Sequence, residues 1–134
     1  MFPRIREIVD ETGERLRVSV AVDQAGALVA LEHPVRPGGQ QLVLDPTEAE
    51  LLAGYLMSAR LALPTGLPDE IMEQGLVRCF RLVLEPDPHV EVSHAAGQTP
   101  FRIPARYWDK LYAELCLVVA HTRHLDRHIA LRIH

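Results

Sequence analysis

Aromatic residues are scarce in this sequence, at 5% of its 134 residues. A surface that stacks nucleic-acid bases needs several exposed rings, so few residues are available to build one. Positive charge is not in excess either, because 14 lysines and arginines stand against 18 acidic residues, for a formal net charge of −4. This balance argues against strong electrostatic binding of nucleic acid.

Long apolar runs and cysteines are also few. No run approaches the roughly 18 consecutive apolar residues of a membrane span, and the first residues lack the apolar core of a signal peptide. Cys79 and Cys116 both lie in apolar runs, so we expect two small buried hydrophobes and no disulfide framework. These absences predict a cytoplasmic protein with no membrane partner.

The sequence does contain one pattern that occurs twice. Residues 15–63 show three strand-like runs followed by an amphipathic helix, and residues 77–124 repeat that order. Strict alternation of Leu16, Val18 and Val20 with polar residues is typical of a half-buried strand. A fixed internal repeat of this kind indicates a duplicated structural unit.

The repeat predicts an α+β fold made of a tandem repeat of antiparallel β-sheet plus one amphipathic helix. Short connections within each unit favour antiparallel pairing, and both helices should pack on the same side of the sheets. We expect one domain over residues 1–134, with its two repeats joined by a helical connector over residues 64–76. Pro68 opens that connector and Gly75 closes it.

The first helix has a clear start signal in the sequence Asp45-Pro46-Thr47-Glu48. Asp45 is the candidate N-cap, Pro46 suits the first helical position, and Glu48 is the capping-box partner. The second helix is predicted to begin at Pro104 and carries an apolar stripe that includes Trp108, Leu111 and Leu115.

The two ends of the chain carry weaker patterns. Ile5, Ile8 and Val9 fall at helical spacing and Gly13 follows them, which predicts a short N-terminal helix. Ile129, Leu131 and Ile133 alternate with other residues, which favours a terminal strand over a helix extension.

Three histidines are the candidate metal ligands. On a helix, His121, His124 and His128 share one face, where imidazoles can converge on zinc. The alternative is a polar helix face that happens to be rich in histidine and arginine, and the absence of an H-E-x-x-H motif favours it. No nucleophile motif such as G-x-S-x-G is present, so we expect neither an enzyme nor a bound cofactor.

Four arginines are the candidate ligand-binding or nucleic-acid-binding residues, namely Arg17, Arg36, Arg81 and Arg102. Arg81 and Arg102 fall on strand positions opposite the core. If all four converged on one sheet face, they could bind a single-stranded nucleic acid. The alternative is a solvated sheet face.

The order of elements resembles the Pur-alpha and Whirly group of single-stranded nucleic-acid-binding folds. The likeness lies in an alternating hairpin and then a short strand that runs directly into a helix, as in residues 41–52 and 101–111. It spans most of the chain. The resemblance implies sheet surfaces that bind their ligand and helices that dimerise.

Two functions follow as hypotheses. The first is a non-enzymatic protein-interaction module, adaptor-like or chaperone-like, that forms a homodimer and binds a protein partner. The alternative is a single-stranded nucleic-acid-binding regulatory protein that uses the sheet face. The potential on the outer sheet faces distinguishes them, because clustered arginines favour nucleic acid and an apolar or acidic face favours a protein.

Overall fold

The chain forms two four-stranded antiparallel sheets and two helices, in a computed structural model that describes residues 4–23, 26–33, 40–95 and 99–133. The first sheet and its helix comprise β1 (Arg4–Val9), β2 (Arg15–Asp23), β3 (Gly26–Glu32), β4 (Gln41–Leu44) and α1 (Pro46–Ala62). The second comprise β5 (Glu70–Ile71), β6 (Val77–Val83), β7 (His89–His94), β8 (Phe101–Pro104), a 3-10 turn (Ala105–Tyr107) and α2 (Trp108–Ile133). Strands pair in chain order within each sheet, which confirms the predicted α+β fold.

The inner face of β2, β3 and β4 in the first sheet is apolar, whereas Arg6 of the edge strand β1 shares this face and pairs with Glu114 of α2 at 3.1 Å. Leu16, Val18 and Val20 of β2 are at most 2% exposed, as their alternation predicted. Val18 pairs with Leu31 of β3, and Leu31 in turn pairs with Leu42 of β4. Successive side chains of a strand point to opposite faces, so this register brings one apolar layer together beneath the helices.

The second sheet builds its inner face from larger side chains. Phe80 of β6 pairs with Val92 of β7, which pairs with Phe101 of β8. All three residues are at most 1% exposed. The indole of Trp108 is buried beside them, and its Nε1–H donates to the carbonyl oxygen of Ile103 at 2.9 Å. The polar edge of the largest core residue is therefore satisfied.

The start of α1 is the capping box that the sequence predicted. The Asp45 carboxylate accepts a hydrogen bond from the Glu48 amide at 2.7 Å, and the Glu48 carboxylate accepts one from the Asp45 amide at 3.0 Å. Pro46 occupies the first turn, where its missing N–H costs nothing. Two of the free amides at the helix N-terminus are satisfied in this way.

Glu48 also joins the two repeats, a role that its capping position does not reveal. Its second carboxylate oxygen accepts a hydrogen bond from the amide of Val77, the first residue of β6, at 2.8 Å. Glu48 is only 4% exposed. Gly75 passes beside it with φ +106°, and a Cβ added there would lie 2.7 Å from the Glu48 carboxylate. One buried carboxylate thus ties the start of α1 to the second sheet.

The helices interlock the two repeats. The second repeat's helix, α2, packs against β1, β2 and β3 of the first sheet, whereas α1 contacts β3, β4 and also β6. The two helices pack along each other, with their buried sides facing the sheets. Neither repeat therefore has a core of its own.

The N-terminal segment is a strand, so the predicted short helix is wrong. Arg4–Val9 pairs with β2, and Ile8 inserts into the core at 4% exposure while its neighbours Glu7 and Val9 stay exposed. Gly13, predicted to stop a helix, instead makes the hairpin turn with φ +86°. Pairing with β2 overrides the helical spacing of three apolar residues.

The segment over residues 64–76 contains β5 and no helix, which corrects the predicted helical connector. Glu70 pairs with Phe80 and Ile71 with Cys79, so the segment adds an edge strand to the second sheet. A helix of this length is marginal in isolation, and edge pairing satisfies the backbone instead.

The C-terminal segment continues α2 to Ile133, so the predicted terminal strand is wrong. No glycine or proline follows Pro104 to end the helix, and apolar residues at every second position do not prevent its continuation. Neither helix in the described ranges is both long and apolar enough to cross a membrane.

Glu48→Ala should destabilise the protein by about 2–4 kcal/mol, because it leaves two amides without their charged acceptor and one of them is buried. Glu50→Ala is the matched control, since Glu50 lies in the same helical turn with a side chain 55% exposed. We expect the control to cost about 0.5 kcal/mol or less. Urea unfolding at neutral pH measures the free energy of unfolding of both variants. An equal loss of stability in the two would contradict the role given to Glu48.

Candidate functional site

Arg17 lies on the outer face of the first sheet between two carboxylates. Its guanidinium donates to Glu7 of β1 at 3.2 Å and to Glu32 of β3 at 3.1 Å. These hydrogen bonds raise the pKa of Arg17 above its ordinary value. The register places the three residues side by side across the sheet. This part of the face is therefore charge-balanced.

Arg81 and Arg102 lie on the outer face of the second sheet, on either side of Glu91. Arg81 donates to Asp69 at 3.0 Å, and this hydrogen bond raises the pKa of Arg81. Arg102 donates to the Nε2 atom of His89 at 3.0 Å. Two of the four candidate arginines thus share one sheet and Arg17 lies on the other, while Arg36 lies outside the described residues.

Neither outer face, within the described ranges, combines unpaired positive charge with exposed aromatic rings. Arg17 and Arg81 have carboxylate partners, and Phe80, Phe101 and Trp108 are at most 1% exposed. Binding of single strands relies on both a basic groove and stacking rings. These observations do not favour the nucleic-acid hypothesis.

The candidate metal ligands lie on α2. His121 is half-buried and His124 is exposed, while the side chain of His128 lies outside the described part of the structure. Among the described side chains, no group of three or more histidine, cysteine, aspartate or glutamate residues is arranged to hold a metal ion. Metal binding by this set stays a prediction.

The two helices run antiparallel and are clamped at both ends. At one end Arg60 of α1 donates to Asp109 of α2 at 3.1 Å, and its guanidinium stacks over the Trp108 ring at 5.0 Å from the centroid. At the other end Arg123 of α2 pairs with Glu50 of α1. The pair therefore presents one continuous outer surface, facing away from the sheets.

That surface carries an apolar strip, which we call the outer helix face. Leu61 is 77% exposed and Leu117 is 61% exposed, although both are large aliphatic side chains. Smaller residues lie between them, and the whole set is exposed: Leu51, Gly54, Met57, Leu61, Ala113, Cys116, Leu117 and Ala120. An exposed apolar patch with a polar rim typically marks an interaction site.

The strip ends in charges of different sign on α2. Asp109 lies at the N-terminal end with its side chain 79% exposed. Arg123 and Arg127 are exposed at the C-terminal end. The outer helix face is thus apolar in its centre and polar at both ends.

Sequence reasoning missed this face in two places. Cys116 is expected to be buried and is exposed, and Leu51, which the sequence analysis does not single out, is 38% exposed. Each is adjacent in the sequence to a fully buried residue, Leu52 or Leu115, and so lies on a different side of its helix. The helical period of 3.6 residues could have predicted this exposure, because it separates two adjacent apolar residues by about 100° around the helix.

A second junction ties the first hairpin to the second repeat. The Asp10 side chain is 1% exposed, and it accepts from the Thr12 amide at 2.8 Å, the Glu14 amide at 2.9 Å and Arg106 at 2.6 Å. Burial alone raises the pKa of the Asp10 carboxyl, but hydrogen bonds from Thr12, Arg106 and the Glu14 amide outweigh it and lower the pKa to about 2.

Burial lowers the pKa of Arg106, but its hydrogen bonds to Asp10, Tyr107 and Glu14 outweigh burial and raise that pKa overall.

Burial raises the pKa of the half-buried Cys79 thiol. A raised pKa disfavours the reactive thiolate, so Cys79 does not have the character of a nucleophile.

No protein-family model and no curated protein matches this chain. The resemblance to the Pur-alpha and Whirly group therefore stays a prediction, and the function must be argued from the surface itself.

Asp10→Asn should make stability less dependent on pH in acid. Because the pKa of Asp10 falls from 3.8 to about 2 on folding, its contribution is present above pH 3.8 and is lost as pH falls through about 2. The variant should be less stable than wild type at about pH 5, with the difference narrowing towards pH 2. Urea unfolding across this range measures it, with Glu11→Gln in the same turn as control. A difference independent of pH would contradict the assignment.

Proposed function

We propose that this protein is a protein-interaction module that forms a homodimer through the outer helix face. One observation carries the proposal: of seven exposed large hydrophobic residues in the described ranges, four lie on this face. Leu51, Met57, Leu61 and Leu117 belong to different turns of two helices clamped as one surface. Burying these side chains against a partner removes apolar area from water at roughly 25 cal/mol per Å².

A second copy of the chain is the partner that the face fits best. Homodimers most commonly have two-fold symmetry, in which one patch contacts itself. Asp109 and Arg127 lie at equal distances along α2 on either side of residue 118. A two-fold axis near that position would bring Asp109 of each copy to Arg127 of the other, and like charges would stay apart.

Small side chains in the centre of the face favour close helix packing. Ala113, Cys116 and Ala120 follow one another at spacings of three and four residues, which is the spacing of a helix–helix seam. Small residues at such a seam allow interaxial distances near the short end of the usual 8–10 Å range. Leu51 and Leu61 flank the seam on α1 and extend the apolar contact.

Dimerisation would leave the outer sheet faces available to another protein. Their described arginines are mostly paired with carboxylates, a mixed surface of the kind that protein partners recognise. A dimer presents two such faces, and this bivalence raises the strength with which it holds a partner that has two binding segments. An adaptor-like or chaperone-like role follows from that arrangement.

Leu117→Lys should convert the dimer to a monomer, because it places a charge at the centre of an apolar interface. Ile71→Lys is the matched control, since Ile71 is 75% exposed on β5, outside the helix pair. Sedimentation velocity at about 1 to 100 µM should show a dimer for wild type and the control, and a monomer for Leu117→Lys.

Two outcomes would contradict the proposal. One is a wild-type monomer across that concentration range. The other is a Leu117→Lys variant that stays dimeric while its far-UV circular dichroism and thermal midpoint match those of the wild type. In the second case another surface would hold the copies together.

A further inference from the structure

A cavity of about 380 Å³ opens where the two sheets meet. His33, at the end of β3, is hydrogen-bonded through Nε2 to the carbonyl oxygen of Arg102 at 3.2 Å, and the Gln40 side chain donates to the Thr99 carbonyl at 3.0 Å. These bonds join the sheets along one wall. We call this cavity the seam pocket, and its volume is within the range that holds small organic ligands.

The charged residues that line the seam pocket are three arginines, Glu14 and Asp87. Two of the arginines have carboxylate partners. Arg106 is held by Asp10 and Glu14 at 2.6 and 2.7 Å, and Arg15 donates to Glu7 at 3.1 Å. Arg102 forms no ion pair with any residue that the structure describes. Its charge is the one in the pocket that a bound anion would neutralise.

A hydrogen bond to a buried histidine fixes the orientation of the Arg102 guanidinium. His89 is 6% exposed, and its Nδ1 lies 2.8 Å from the carbonyl oxygen of Asp87. A carbonyl only accepts, so Nδ1 carries the proton. In the neutral ring Nε2 is then the acceptor for Arg102, at 3.0 Å, and the Glu91 carboxylate lies 3.5 Å from the same nitrogen. One nitrogen of the guanidinium is fixed in this way, and its other N–H groups make no hydrogen bond to described protein atoms.

The remaining lining residues are His33, Gln40 and three prolines. Pro86, Pro88 and Pro104 contribute pyrrolidine rings to the wall. The imidazole of His33 stacks on the buried ring of Phe101, with centroids 5.0 Å apart and planes at 13°. The seam pocket therefore offers a guanidinium beside rigid walls that suit a carbon skeleton.

We propose that the seam pocket binds a small organic anion, with its carboxylate or phosphate group on Arg102 and its apolar part against the proline rings. Guanidinium groups bind both anions through paired N–H donors, which is the geometry that Arg102 keeps open. The proposal concerns a ligand site on the sheets and does not depend on the outer helix face.

The test uses benzoate and phenyl phosphate as probes, with benzamide as the neutral counterpart of benzoate. Isothermal titration calorimetry on the full chain should show saturable binding of at least one anion and none of benzamide. Arg102→Gln should weaken anion binding about tenfold or more, because it removes charge-assisted hydrogen bonds to the anion. Arg78→Gln is the control, since Arg78 is exposed on β6 and does not line the pocket.

Arg102→Lys separates loss of charge from loss of geometry. It keeps the positive charge but not the planar pair of donors, so affinity should fall between those of wild type and Arg102→Gln. Thermal unfolding of each variant establishes that it is folded, and Arg102→Lys still tests the site if Arg102→Gln does not fold.

Three results would overturn the proposal. They are no binding of either anion at about 10 mM, equal binding of benzoate and benzamide, and equal weakening by Arg102→Gln and Arg78→Gln. The last would indicate general surface electrostatics. The stronger of the two anion probes identifies the ligand class as a carboxylate or a phosphate.

Discussion

The buried carboxylate of Glu48 is the contact on which the arrangement of the two repeats depends. It caps α1 through the Asp45 amide and accepts the first amide of β6 from Val77. An unpaired buried charge is costly, so this carboxylate is stable only where both amides reach it. Gly75 has to pass close by, with a positive φ and no room for a Cβ. The position of α1 and the start of the second sheet are therefore fixed together.

The exposed helix surface follows from this interlocking. Because α2 packs on the first sheet while α1 reaches β6, each helix buries one side against the sheets and against the other helix. The ion pairs Arg60–Asp109 and Arg123–Glu50 then hold the outer sides in one surface. Leu61 and Leu117 are 77% and 61% exposed there. We propose that a second copy of the same surface covers them, in an arrangement that keeps like charges apart, and this is why we place the interaction function on the helices.

Local patterns predicted the repeated unit well and its edges poorly. Alternation at Leu16, Val18 and Val20 and the capping box at Asp45 and Glu48 are decided within a few residues, so the sequence alone predicts them. The strand at Arg4–Val9 and the edge strand at Glu70–Ile71 depend on partners far along the chain, which a local pattern does not contain. The contacts between the two repeats likewise depend on residues far apart in the chain. The bond from Glu48 to Val77 and the meeting of His33 with Arg102 join residues of different repeats, whereas the exposure of Leu117 could have been read from helical periodicity.

The distance between the Cys116 residues of two copies tests the proposed homodimer most directly. A nitroxide on Cys116, in a Cys79→Ser background, reports that distance by electron paramagnetic resonance. A two-fold axis near residue 118 separates the two Cys116 positions by about 6 Å along the helices and about 8–10 Å across them. The account predicts strong coupling between the labels at a separation below about 25 Å. Labels more than about 40 Å apart, in a labelled sample that sedimentation velocity shows to be dimeric, would contradict it.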